Sequence, residues 1–260
     1  MIFPVQGTER DLYPSIVQKI FHRHRGSETL SKRLMEPQPL LLPKRLTERI
    51  PNCDYTLSTR SHHAGDIPDR AASICGTGPS ALPALLEEAR RLEQAGADAL
   101  CLGCNTAHFY YNALAAAIGI PIFHMPRLAG TYCQHKRLHK VILLAAPGTY
   151  ETGIYEKAFS GTGVEIIRPE PAVQRLTAQC IYEGIKACRR DYDAGALQAT
   201  LLPLLKREQA PLLLGCTELP IAWRWYGLPG ETIDPGEILA QTIVRWAQCG
   251  TDESFFPQPH

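Results

Sequence analysis

The sequence has almost no charge imbalance, no long apolar run and no dense cysteine framework. Its 27 Lys and Arg residues face 26 Asp and Glu, for a formal net charge of +1 at pH 7. That balance offers no basic footprint for a phosphate backbone, so a nucleic-acid partner is not expected. Every hydrophobic stretch is broken by proline, glycine or charge before it reaches the ~20 residues a membrane span needs. The opening Met1-Ile2-Phe3-Pro4-Val5-Gln6 lacks the basic segment and apolar run of an export signal. The expectation is a soluble, cytoplasmic chain with no membrane partner. Its nine cysteines, at 53, 75, 101, 104, 133, 180, 188, 216 and 249, are odd in number and widely spaced. They read as free thiols rather than a secreted disulfide scaffold.

What is present is enough apolar residue to build a core. With 45% of 260 residues hydrophobic, the chain suits one large or two small domains. Between about 70 and 245 it alternates short apolar runs with amphipathic segments. Leu82, Leu85, Leu86, Ala89 and Leu92 recur at helical spacing, with Ser80 as a possible cap, Pro83 in the tolerated first turn and Gly96 as stop. Ala97–Leu102, Pro121–Phe123, Val141–Ala145, Val164–Ile167 and Pro211–Leu214 read as buried strands. Between them, helices are expected over Asn112–Ile118, around Tyr155–Phe159, over about Ala172–Cys188 and near Leu197–Arg207. Short continuous apolar strands alternating with helices imply a parallel sheet covered on both faces.

Two echoes suggest an internal duplication. Leu100-Cys101-Leu102-Gly103-Cys104-Asn105-Thr106 parallels Leu212-Leu213-Leu214-Gly215-Cys216-Thr217-Glu218, each an apolar strand ending in Gly-Cys. Gly7-Thr8-Glu9 with Tyr13 parallels Gly148-Thr149 with Glu151 and Tyr155. The expected fold is therefore α/β, with two similar αβ lobes of mainly parallel sheet related by a pseudo-twofold axis and a site between them. Residues 1–124 plus 232–260 are assigned to the first lobe and 125–231 to the second. Residues 23–60 are divergent, with four prolines and a basic run, leaving only Leu40–Leu42 and Tyr55–Leu57 as possible strands. The tail from Thr251 reads as loose.

Ligands of open parallel sheets gather at the carboxyl ends of the strands, where the next helix aims its N-terminal amides. Cys104 and Cys216 both fall there, a position expected to lower a thiol pKa. Facing each other across a cleft, they would remove a proton from one face of a carbon and return one to the other. Cys75, Cys133, Cys180, Cys188 and Cys249 lack such placement and read as structural. Cys101-Leu-Gly-Cys104 also spells a C-x-x-C. No second pair completes a zinc set, and Cys101 sits within the apolar run, so redox and metal readings rank below the acid–base one.

Cys104-Asn105-Thr106-Ala107-His108 together with Gly215-Cys216-Thr217-Glu218-Leu219 resembles the aspartate/glutamate racemase family. Ile67-Pro68-Asp69-Arg70, Gly148-Thr149 and Ile181-Tyr182-Glu183-Gly184-Ile185-Lys186 match in the same order, so the resemblance covers about 65 to 245. It implies a cofactor-independent enzyme with Cys104 and Cys216 as acid–base thiols and a small amino acid as substrate, aspartate before glutamate. It further implies that Asn105, Thr106 and Thr217 hold the α-carboxylate and amine and that Thr149 assists. Arg70 and Lys186 would receive the side-chain carboxylate, as an Arg fork grips a carboxylate in two places. A homodimer is also implied. His108 reads as a packing or hydrogen-bonding residue. The chain departs from the family's glycine-rich opening loop, carrying Val5-Gln6-Gly7-Thr8-Glu9-Arg10 instead. Alternatives are an isomerase of another small substrate on the same fold, or a ligand-binding relative without catalysis.

Overall fold

The computed structural model describes residues 17–25, 55–63 and 67–249. The expectations for Val5–Arg10, for the echo at Gly7 to Tyr13, for Leu40–Leu42 and for the tail from Thr251 lie outside these residues. Two four-stranded sheets organise the rest. The first contains β1 (Val17–Arg25), β2 (Tyr55–His63), β3 (Ala99–Leu102) and β4 (Ile122–Phe123), in the order β2-β1-β3-β4. The second contains β5 (Lys140–Ala145), β6 (Glu165–Ile167), β7 (Leu212–Gly215) and β8 (Thr232–Ile233), in the order β6-β5-β7-β8.

The second sheet is parallel throughout, and β3 pairs parallel with β4. The first sheet departs from the parallel expectation on its N-terminal side, where β1 runs antiparallel to both β2 and β3. Tyr55–Leu57 does open β2, whereas β1 was not anticipated. Its Val-Gln-Lys-Ile-Phe-His-Arg-His-Arg has neither strict alternation nor an apolar run to mark it as a strand.

Alternation along the buried strands builds the core on both faces of each sheet. In β5 and β7, Ile142, Leu144, Leu212 and Leu214 face one cluster, while Val141, Leu143 and Leu213 face another. In β3, Leu100 and Leu102 meet Leu85, Leu92 and Leu114, whereas Ala99 and Cys101 meet Phe123 and Trp246. Burying each large side chain contributes about 1.5–3 kcal/mol, so these runs could not stay in register on a single-faced sheet.

Helix α1 spans Arg70–Ile74, and α2 spans Leu82–Gln94 with Leu85, Ala89 and Leu92 buried. Ser80 Oγ accepts from Leu82 N at 3.3 Å, and the chain turns away at Gly96 with φ +83°. After β3 comes a 3₁₀ turn, Thr106–Tyr110, and a short α3, Tyr111–Ala115, rather than one helix over 112–118. Helix α4 (Met125–His135) packs Ala129 and Cys133 on the second sheet. Next come α5 (Pro147–Thr152), α6 (Ile154–Phe159) and α7 (Pro171–Gln179). The helix expected over 172–188 changes to π-helical geometry at Cys180–Ile185, widening the turn that carries Tyr182 toward the cleft. Helices α8 (Gly195–Glu208) and α9 (Leu219–Tyr226) flank β7 in sequence. The last, α10 (Pro235–Cys249), buries Leu239, Ile243 and Trp246 against the first sheet. β8 pairs with β7 at the edge of the second sheet, and α10 follows it back to the first. Among the described residues, no helix is long and apolar enough to cross a membrane.

Candidate active site

β3 and β7 end side by side at a cleft, and each is followed by Gly-Cys or Cys. Gly215 has to be glycine: a Cβ there would lie 2.8 Å from Leu143 Cδ1 and 3.1 Å from Ala145 Cβ and Tyr155 Cε2. Arg70, Cys104, Asn105, Thr106, Lys186, Cys216 and Thr217 all line the cleft. Of the residues expected at the site, Thr149 alone does not; it is fully buried.

The two thiols stand in different surroundings. Cys104 is half-buried. Cys216 is buried, and its Sγ donates to Glu218 Oε2 at 2.9 Å, an oxygen that also accepts from Thr217 Oγ1 at 3.2 Å. Burial, then the charge and hydrogen bond of Glu218, then Cys104, push the Cys216 thiol well up, with Lys186 alone opposing. The expected lowering at a helix start is therefore overturned for Cys216. Desolvation and a carboxylate two residues on outweigh the partial charge of the α9 amides, and Cys216 rests as a thiol.

The charged wall comes from both sheets' helices. Asp69 caps α1 through Oδ1, which accepts from Ala72 N at 2.8 Å, and its Oδ2 lies 3.7 Å from Lys186 Nζ. Burial opposes the Asp69 charge, but the Ala72 amide, Lys186 and Arg70 outweigh it and hold its carboxyl below the usual range. Lys186 also sits 4.4 Å above the Tyr182 ring. Burial would lower its pKa, yet Glu218, Tyr182, Cys216 and Asp69 together raise it and keep the ammonium. Arg70 donates from Nη1 to Pro68 O at 3.2 Å, while its buried Nε has no hydrogen-bond partner among the described residues.

Beneath the cleft, segments that follow the first sheet's β3 join segments that follow the second sheet's β5. Thr106 and Thr149 pair their hydroxyls at 2.9 Å, and Tyr155 OH donates to Asn105 Oδ1 at 2.5 Å. A Cβ on Gly148 would lie 3.0 Å from Ala71 Cα and 3.2 Å from Thr106 Cγ2, so the α5 and α1 backbones approach each other closely there. Behind Cys104, His108 Nε2 accepts from Met125 N at 3.1 Å, which leaves Nδ1 to donate to the carbonyls of Cys104 (2.9 Å) and Asn105 (3.2 Å). Burial lowers the His108 pKa to about 4 despite these backbone bonds. The imidazole is thus neutral at pH 7 and positions the Cys104 loop.

Cys101 faces away from the cleft, packed with Phe123 and Trp246, so it forms no dithiol with Cys104. Among the described residues no group of three or more His, Cys, Asp or Glu could hold a metal ion. Sequence reasoning left Glu218, Asp69, Tyr182 and Tyr155 without roles. Glu218 and Asp69 lay inside quoted motifs and Tyr182 sits one helical turn before Lys186, whereas nothing local in the sequence pairs Tyr155 with Asn105.

A family model described as Asp/Glu/Hydantoin racemase matches residues 50–243. The chain is 30% identical over 164 residues to a broad specificity amino-acid racemase, RacX, of Bacillus subtilis, covering 62% of this chain and 70% of the relative. Among solved structures, the Picrophilus torridus aspartate racemase superposes with a TM-score of 0.59 at 23% identity, covering 75% of this chain and 81% of that one. A glutamate racemase from Bacillus anthracis superposes with a TM-score of 0.54 at 22% identity, covering 71% and 69%. These last two likenesses establish the fold, and the match over most of the chain establishes the lineage: this enzyme belongs to the Asp/Glu/Hydantoin racemase family.

Proposed function

We propose that the protein racemises a small acidic amino acid, aspartate before glutamate, by proton transfer between Cys104 and Cys216 and without a cofactor. The observation that carries this reading is the pair of strand-end cysteines lining one cleft beside Arg70, whose buried Nε has no partner among the described residues. An α-proton is far less acidic than a thiol. The charge that develops on the carboxylate during its removal must be met by donors already in place. Asn105, Thr217 and the backbone amides after Gly103 and Gly215 supply them in this reading, and Arg70 takes the side-chain carboxylate.

Cys216 begins as the proton donor, with Cys104 as the base on the opposite face. A forward transfer leaves Cys104 as the thiol and Cys216 as the thiolate, the pair of states the reverse transfer needs; to start in reverse from the resting site, Cys216 passes its proton to Glu218 Oε2, its hydrogen-bond acceptor, and Cys104 takes one from solvent. Glu218 is then the proton store for one half of the reaction. The pairing of Lys186 with Asp69 supports a second, broader reading. With Lys186 so engaged, a substrate lacking a side-chain carboxylate forfeits little beyond the Arg70 contact, and the Bacillus subtilis relative is named for broad specificity.

Incubation of L-aspartate, L-glutamate and a panel of neutral amino acids in D₂O tests both readings. Deuterium at the α-carbon and appearance of the D-isomer, fastest with aspartate, is the expected result. Faster turnover of neutral amino acids would replace the acidic assignment with the broad one, and no exchange with any would remove both.

A further inference from the structure

Asn105 and Tyr155 meet across the joint between the halves, and the bond between them has a direction. Tyr155 is fully buried, its ring 3.1 Å from where a Cβ on Gly215 would sit, so its hydroxyl has no water to turn to. Burial keeps the phenol protonated well beyond the ordinary range, with Asp234, Cys216 and Cys133 acting in the same sense. A protonated buried hydroxyl needs an acceptor, and Asn105 Oδ1 is the one it has. If the amide were flipped, Nδ2 would occupy that place and leave the phenol proton without an acceptor. The amide is therefore locked with Oδ1 against Tyr155. Asn105 lines the cleft, and its Nδ2 has no protein partner among the described residues.

We infer that Tyr155, a residue outside the cleft, is a positioning residue that orients the Asn105 amide so that its Nδ2–H group donates to the substrate carboxylate. This inference rests on the racemase reading of the cleft. It adds a link between the halves: a hydroxyl on α6 of one sets a donor at the strand end of the other. Accepting a hydrogen bond at Oδ1 also polarises the amide and strengthens its N–H donors. The same tie makes the Cys104 side of the site depend on correct seating of α6.

The test is a double-mutant cycle. Tyr155→Phe keeps the ring that packs beside Gly215 and removes only the donor. For wild type, Tyr155→Phe, Asn105→Ala and the double variant, kcat and KM are measured with the best substrate of the D₂O panel. The expected fall in kcat for Tyr155→Phe is about tenfold to a hundredfold, below the roughly hundredfold to thousandfold loss of a whole oriented donor because the amide is loosened and not removed, with KM changing less than about threefold. If Tyr155 acts through Asn105, adding Tyr155→Phe to Asn105→Ala changes kcat by less than about twofold. Unchanged kcat in Tyr155→Phe, or losses that multiply in the double variant, would overturn the inference.

Asn105→Asp keeps an acceptor for Tyr155 but has no N–H donor, and it is expected to lose as much activity as Asn105→Ala. Wild-type rates in Asn105→Asp would equally defeat the inference, and this arm leaves Tyr155 packing untouched should Tyr155→Phe fold poorly. Side-chain amide NMR of ¹⁵N-asparagine-labelled protein separates this inference from the racemase reading. The Asn105 NH₂ pair, assigned by its loss in Asn105→Asp, is expected to shift in Tyr155→Phe even if no amino acid is racemised. An unmoved pair means Tyr155 does not hold the amide, whatever the enzyme's activity.

Discussion

The ends of β3 and β7 are the two walls of one cleft, and they are written almost alike yet held differently. After β3, Cys104 is fixed from behind: His108 grips its carbonyl, Tyr155 grips the Asn105 amide and Thr149 grips the Thr106 hydroxyl. After β7, Cys216 is governed from the front, by a carboxylate that accepts its proton and a Lys186 ammonium that favours its thiolate. One wall is preorganised by buried hydrogen bonds and the other by charge. A repeated Gly-Cys strand end thus places a thiol on each wall, and in the proposed reaction its neighbours decide when that thiol is acid and when base.

Removing either thiol is the most severe way to break the comparison. Cys104→Ala and Cys216→Ala are each expected to lower racemisation by about a thousandfold or more, within the range for removing an acid–base group, as read by chiral chromatography. If one of them kept near-normal rates, the two walls would not share the reaction.

Glu218→Gln acts on the second wall alone. Loss of the charge that helps raise the Cys216 pKa should move its alkylation-against-pH profile to lower pH. Racemisation should fall about a hundredfold, because the proton store is gone. Site-resolved mass spectrometry after iodoacetamide treatment reads both cysteines. An unmoved Cys216 profile would remove Glu218 from the account.

His108→Gln acts on the first wall. The folded His108 pKa of about 4 lies below the ordinary 6.5, so an unfolded chain binds a proton there that the folded chain does not. The stability this contributes is complete above about pH 6.5 and is lost as pH falls toward 4, a span worth about 3 kcal/mol. Urea midpoints at pH 7 and pH 4.5 should therefore converge in His108→Gln relative to wild type. An identical pH slope in both would mean that other groups carry the acid sensitivity, His124 first among them, since burial lowers its pKa to about 2.

Thr149→Val should have the smallest effect. It keeps the shape of the joint while removing one partner of a buried pair, at a cost of about 1 kcal/mol in stability and only a few-fold in kcat. Thermal melts and steady-state rates check it. A loss in kcat as large as that of Glu218→Gln would place Thr149 in contact with substrate instead.

Much of this was legible before any coordinates. The continuous apolar runs at 99–102, 141–145 and 212–214 could only be strands buried on both faces, and the first and the last end where the cleft begins. The matching Gly-Cys strand ends were visible for the same reason: a nucleophile at a strand terminus is a local pattern. β1 was not legible, because its apolar residues follow no period. Nor was the π-helical turn at Cys180–Ile185, within which Gly184 lies against Tyr192 and Tyr226, residues 8 and 42 positions further on.

The sequence by itself determined the buried strands and their faces, the two candidate thiols and the family. Those properties rest on short-range periodicity and on residue chemistry at fixed spacing. Only the tertiary structure decided the protonation of Cys216, the pairing of Lys186 with Asp69, the withdrawal of Thr149 from the cleft and the grip of Tyr155 on Asn105. Each of these depends on desolvation, or on a partner from a different part of the chain. A thiol's pKa and an amide's orientation are set by what surrounds them in space, and that environment is assembled only when both sheets and their helices close around the same cleft.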